Sequence, residues 1–185
     1  MVSRIFLIGY MGCGKSTLGV ALAKSLGWMF ADMDQLFEEK HQCSISEYFQ
    51  RYGESGFRQA EHDLLRETSD VHQIVYATGG GMPCFYDNMA HMNASGLTIY
   101  LRLPAAALCR RLAGGKQHRP LIADKSDGEL LDFIAHKLCD REPFYNQAHL
   151  IIDDDGSLSV QGYVNIIRAA DELKGVASNH ASSDI

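Results

Sequence analysis

An α/β fold, a parallel sheet with helices on both faces, is what this chain of 185 residues predicts, on three observations. Short apolar runs alternate with helical patterns from one end to the other. The first run, Arg4 to Gly9, is apolar without alternation, as a strand buried on both faces must be. A glycine-rich turn then joins that strand directly to a helix.

The elements follow in order. Leu18, Leu22, Ala23 and Leu26 share a face at the 3.6-residue period, and Gly27 stops that helix. Residues 28–32 read as a second strand, 35–40 and 45–51 as helices, and Phe57, Ala60, Leu64 and Leu65 mark one face of another helix. Residues 73–77 form a strand closed by Gly79, Gly80 and Gly81; 97–103 is a strand and 105–112 a helix. A helix over 129–139, a short strand at 150–152 and a helix over 160–173 complete the alternation. The polar stretch from Gly114 to Lys125 carries two glycines and no periodicity, so it is a lid or a loose connection. Residues 175–185 are expected to be a disordered tail, which leaves 1–174 as a single domain.

Composition narrows the function. With 46% hydrophobic and 22% charged residues the chain belongs with globular proteins and not with disordered ones. A net charge of −6 provides no basic excess for neutralising nucleic-acid phosphates, so no nucleic-acid partner is expected. Cys13, Cys43, Cys84, Cys109 and Cys139 include no C-x-x-C, and no two histidines lie within five positions, so zinc-finger spacing is absent. The odd count fits free thiols in a reducing cytosol. The N-terminal apolar run is only Ile5 to Ile8, and no 18-residue apolar stretch occurs, so the expectation is a cytoplasmic protein with no membrane partner.

Gly9-Tyr10-Met11-Gly12-Cys13-Gly14-Lys15-Ser16 matches G-x-x-x-x-G-K-[ST] at every fixed position, with a strand before it and a helix after. Glycines let successive N–H groups turn inward on phosphate oxygens, and the helix N-terminus adds partial positive charge. Lys15 is placed to bridge the β- and γ-phosphates, and the Ser16 hydroxyl to ligate Mg²⁺. A dinucleotide fingerprint fails, because G-x-G-x-x-G from Gly12 reaches Thr17. A GTPase switch is disfavoured, since no asparagine is followed by lysine and Asp153-x-x-Gly156 lies too late for D-x-x-G.

On the acceptor side, Asp32 and Asp34 stand two residues apart at the end of the second strand, on one side of the sheet if the strand persists. Ligands of open parallel sheets bind beyond the carboxyl ends of strands, so both point at the phosphate loop, although helix capping would also explain either one. No acid follows the third strand, and Asp32 is the substitute ligand for Mg²⁺, acting through a water. Arg58 lies about 100° round its helix from the apolar stripe, with Glu61 at i+3 to hold its guanidinium. Arg141 precedes Glu142-Pro143 and is expected at a break between helices; Arg119 precedes Pro120 inside the polar segment. For each arginine alone, a solvated surface position is the bland alternative.

Taken together these pieces resemble the shikimate kinase family: G-x-M-G-x-G-K-S-T at Gly9 to Thr17, F-x-D-x-D at Phe30 to Asp34, G-E-S-G-F-R-x-x-E at Gly53 to Glu61, the triple glycine, R-P-L from Arg119, and R-x-P-x-Y at Arg141 to Tyr145. The resemblance is collinear from about residue 4 to about 173. It implies a three-layer P-loop kinase fold with five parallel strands in the order 2-3-1-4-5, an acceptor-binding region over about 33–61 and a mobile lid over about 113–126. Asp34 would bind the acceptor hydroxyls and take the proton of the attacking one. Arg58 and Arg141 would clamp a carboxylate. Gly79, Gly80 and Gly81 would donate from the backbone to the substrate. Arg119 would close with the lid onto the transferring phosphoryl group, with Arg111 as a second arginine on ATP beside Gly12, Cys13, Gly14, Lys15, Ser16 and Thr17. The implied activity is ATP- and Mg²⁺-dependent phosphorylation of the 3-hydroxyl of shikimate by a monomer. A kinase of another hydroxy acid such as gluconate would want a similar loop, lid arginine and clamp. A non-enzymatic nucleotide-binding module is the alternative from a different class, and it would leave Arg58 and Arg141 without work.

Overall fold

Five strands, β1 (Arg4–Ile8), β2 (Met29–Asp32), β3 (Ile74–Ala77), β4 (Leu97–Arg102) and β5 (Leu150–Asp153), pair in parallel in the order β2-β3-β1-β4-β5. The structure, a computed structural model, describes residues 2–114, 125–153 and 157–181. The inner strands β1, β3 and β4 are almost wholly buried, whereas β5 at one edge alternates between half-buried and exposed. Phe6 of β1 pairs with Tyr76 of β3, and the two rings stack 5.3 Å apart in the core.

The helices are α1 (Lys15–Leu26), α2 (Met33–His41), α3 (Ile45–Glu67), α4 (Asn88–Ser95), α5 (Ala105–Ala113), α6 (Asp127–Tyr145) and α7 (Val160–Ala181). They form the two outer layers of a three-layer α/β/α arrangement, with α1 against β2, β3 and α7, and α5 against α6. Gly27, at φ 69°, ends α1 in the left-handed region, where a residue without Cβ is at ease. Capping boxes open two helices: Ser44 with Glu47 begins α3, and Ser126 with Glu129 begins α6.

Several elements depart from the sequence expectation. The second strand does not persist to Asp34: Asp32 is the N-cap of α2, and Asp34 already belongs to its first turn. The helices over 45–51 and around 57–65 are one helix, α3, kinked at Gly53 (φ 68°, ψ −177°). Arg141 is not at a break. α6 carries Pro143 inside it, and because the helix ends two residues later at Tyr145, the missing N–H forfeits one bond in the last turn only. α4 has no apolar period to announce it; it is held by the buried Asn88, Met89 and Met92. α7 continues past residue 173, to Ala181. No helix among the described residues is long and apolar enough to cross a membrane.

α2 and α3 form a small unit beside the sheet. Phe37 of α2 meets Phe57 of α3 edge-on at 5.0 Å and Tyr48 at 5.0 Å. Each such pair contributes about 0.5–1.5 kcal/mol beyond area burial, and together they fix the helix that carries Arg58.

Candidate active site

The loop between β1 and α1 takes positive φ at Gly12 (80°) and Gly14 (101°), conformations that a side chain resists. Gly14 caps α1 without a side-chain bond, so the first N–H groups of the helix are left to face an anion. Lys15 is 8% exposed, and its Nζ donates to the carbonyls of Gly9 (2.8 Å) and Tyr10 (3.0 Å), so its charge sits in the middle of the loop. α5 backs the loop: a Cβ at Gly12 would come within 2.9 Å of Leu112 Cδ2, and Arg111 Nη1 donates to the Cys13 carbonyl at 3.1 Å. Arg111 also borders a cavity of about 660 Å³ with Arg102, Leu103, Pro104, Ala107 and Arg110, and the Arg102–Asp153 ion pair lies at its edge. Thr17 is exposed in the first turn of α1.

Asp32 does two things at once. Its Oδ2 accepts from the Ser16 hydroxyl at 2.6 Å, and its Oδ1 accepts from the Asp34 N–H at 3.0 Å. A hydroxyl paired with a carboxylate is a hard-oxygen donor set, of the kind that suits Mg²⁺. Among the described residues no three His, Cys, Asp or Glu side chains converge on one point.

Asp34 faces the open cleft with protein packed closely around it. Desolvation pushes its carboxyl above the usual range, Asp32 and Glu38 add to that, and Lys15 and Arg58 oppose it. Across the cleft, Arg58 Nη1 donates to Glu61 Oε2 at 2.6 Å and Nη2 to Glu54 at 3.4 Å, while Phe57 and Phe85 rings lie 5.0 and 4.3 Å from its Cζ. Glu61 is 3% exposed, and burial pushes it up to about 7 against the pull of Arg58.

Gly79, Gly80 and Gly81 are where these groups meet. A Cβ on Gly79 would lie 2.6 Å from Asp34 Oδ1 and 3.0 Å from Glu61 Oε1. On Gly80 it would lie 3.3 Å from Arg141 Nη1, and on Gly81 2.7 Å from Arg58 Nη1. The three glycines therefore make room for side chains from α2, α3 and α6, a role the sequence alone did not assign to them.

The structure thus brings Lys15, Ser16, Asp32, Asp34, Arg58, Arg141 and the three glycines around one cleft at the carboxyl ends of β1, β2 and β3, with Arg111 beside the loop. Arg119 and most of the expected lid lie outside the described residues. Sequence reasoning passed over Tyr10 and Phe85, whose rings face Arg141 and Arg58. Neither carries a periodic or motif signal, because an arginine is supported here by whatever aromatic the fold brings near. The cavity chemistry amounts to a site for a polyphosphate next to a site for a small anion, with a carboxylate between them to accept a proton.

A family model described as shikimate kinase matches residues 11–171. The shikimate kinase of Phocaeicola vulgatus is 48% identical over 155 residues, covering 83% of this chain and 89% of that protein. That of Bacteroides fragilis is 42% identical over 180 residues, covering 97% and 99%. Among solved structures, the crystal structure of shikimate kinase from Bacteroides thetaiotaomicron superposes with a TM-score of 0.82 at 42% identity, over 96% of this chain and 99% of that one. Shikimate kinase from Acinetobacter baumannii, solved in complex with shikimate, gives a TM-score of 0.76 at 30% identity, over 97% and 95%.

Proposed function

Since the chain belongs to the shikimate kinase family and so catalyses ATP-dependent phosphorylation of shikimate to shikimate 3-phosphate, a step in aromatic amino acid biosynthesis, we propose that the cleft around the triple glycine divides that reaction among the residues as follows. The phosphate loop, Gly12 to Thr17, binds the ATP phosphates, with Lys15 on the β- and γ-phosphates. Arg111 and the cavity beside it take the rest of the nucleotide. Arg58 and Arg141 clamp the shikimate carboxylate, for which a planar guanidinium fork is suited. Asp34 removes the proton of the 3-hydroxyl as its oxygen attacks the γ-phosphorus in line and ADP leaves. Ser16 and, through a water, Asp32 would hold Mg²⁺, which would supply positive charge to the phosphoryl oxygens. Arg119 neutralises charge on the transferring phosphoryl group.

What supports this division is the convergence on Gly79–Gly81 of two carboxylates and two arginines from three separate helices. Stability alone does not explain gathering such charges in a cleft, because desolvating them is costly. Release of ADP from MgATP, measured with and without shikimate and with gluconate in parallel, tests it. Saturable release that depends on shikimate is expected. Release with gluconate alone would reassign the acceptor, and release with neither would leave a nucleotide-binding module.

A further inference from the structure

Arg141 is seated on two tyrosines that make no assigned contact with either substrate. Tyr145 is fully buried and lies one turn beyond Arg141 on α6, so the two side chains share a face. Its hydroxyl donates to the Gly80 carbonyl and so pins the glycine that stands against the Arg141 guanidinium. Burial pushes the pKa of this hydroxyl above its usual value, so it keeps its proton and stays a donor at every working pH. Tyr10, from the phosphate loop, lies with its ring centroid 5.2 Å from Arg141 Cζ. The Tyr10 hydroxyl finds no partner among the described residues, so what it offers Arg141 is the ring. On the remaining side stands Gly80, where a Cβ would crowd Nη1 at 3.3 Å.

We infer that Tyr145 and Tyr10 are positioning residues for the acceptor clamp: hydroxyl, ring and glycine wall together fix the guanidinium plane of Arg141 so that its free N–H edge faces the shikimate carboxylate. This rests on the assignment of Arg141 to that carboxylate. A long arginine left to itself samples many rotamers, and a bidentate grip needs one of them. The bland alternative is that Tyr145 is only core packing, since its ring also lies tilted against Tyr100 at 4.9 Å. The two readings differ in what the hydroxyl does.

Tyr145→Phe keeps the ring and removes the hydroxyl. Its KM for shikimate should rise about tenfold, as expected when the buried Gly80 carbonyl loses its donor and the wall beside Arg141 shifts, with KM for ATP and kcat within about twofold of the parent. The inhibition constant of shikimate methyl ester, which lacks the charged carboxylate, should stay put. An unchanged KM for shikimate, or equal weakening of acid and ester, overturns the inference. Tyr10→Leu is the independent arm, expected to raise the same KM at least about threefold, the worth of a cation–π contact between a buried ring and a half-buried guanidinium; no change there also counts against the seat. Arg141→Lys, run alongside, separates the two levels. If it leaves KM for shikimate unchanged, the clamp itself is wrong. If it raises KM while both tyrosine variants do not, only the seat is wrong.

Discussion

A single methyl group distinguishes the roles of neighbouring glycines. Gly79→Ala puts a Cβ where Asp34 Oδ1 stands, 2.6 Å away, so kcat should fall by roughly a hundredfold as the base is displaced, with a smaller change in KM for shikimate. Gly81→Ala instead strikes the Arg58 guanidinium at 2.7 Å, and here KM for shikimate should rise at least about tenfold while KM for ATP holds. Steady-state kinetics of the two variants checks both, and identical profiles would dissolve the distinction. Glu61 adds a pH dependence. Raised to about 7, it is ionised above that pH and grips Arg58 with a full charge; below, it is neutral and the grip weakens. Shikimate kcat/KM should therefore fall as pH drops through 7, and Glu61→Gln should remove that limb. Stability has the opposite sign: a carboxyl whose folded-state pKa is raised contributes most below its unfolded value near 4.5 and loses that contribution as pH rises through 7. At this scale the sequence was legible in identity but not in cause. The motif around Arg58 and Glu61 named the pair, whereas the reason for three glycines lies in three side chains distant in sequence.

Among the elements, the junction of α1 and β2 is the most sensitive. Gly19 of α1 faces Phe30 of β2, and a Cβ there would lie 2.4 Å from the Phe30 ring. Gly19→Ala should cost about 1–3 kcal/mol of stability by overpacking, a loss of several degrees in Tm readable by calorimetry. It should also impair turnover, because the same junction sets Ser16 of α1 against Asp32 of β2. The strands and the amphipathic helices were legible because their periods are long enough to count. α4 was not, having eight residues and a buried asparagine in place of an apolar stripe. The break expected at Arg141 misjudged a proline that sits near enough to a helix end to be tolerated. That error matters, since an unbroken α6 is what brings Tyr145 one turn from Arg141.

The strand order was legible for the molecule as a whole only through the family resemblance; alternation by itself allows several orders. What the whole adds is the meeting of distant segments at one cleft. Lys15→Met probes it: losing the bonds to the Gly9 and Tyr10 carbonyls should cost about 1–3 kcal/mol, lowering Tm by several degrees, in a chain that still folds. Turnover should fall by three orders of magnitude or more, and near-parental activity would remove Lys15 from the mechanism. Asp32 carries the final consequence. One carboxylate is the hinge pin between the two halves of the cleft, with one oxygen on the serine that follows the phosphate lysine and the other on the backbone of the base itself. On the proposed roles, a nucleotide that draws Ser16 towards it would tug Asp32, and through it the first residues of α2. Donor loading and alignment of Asp34 would then be geared together, the enzyme cocked for transfer by the molecule that brings the phosphate.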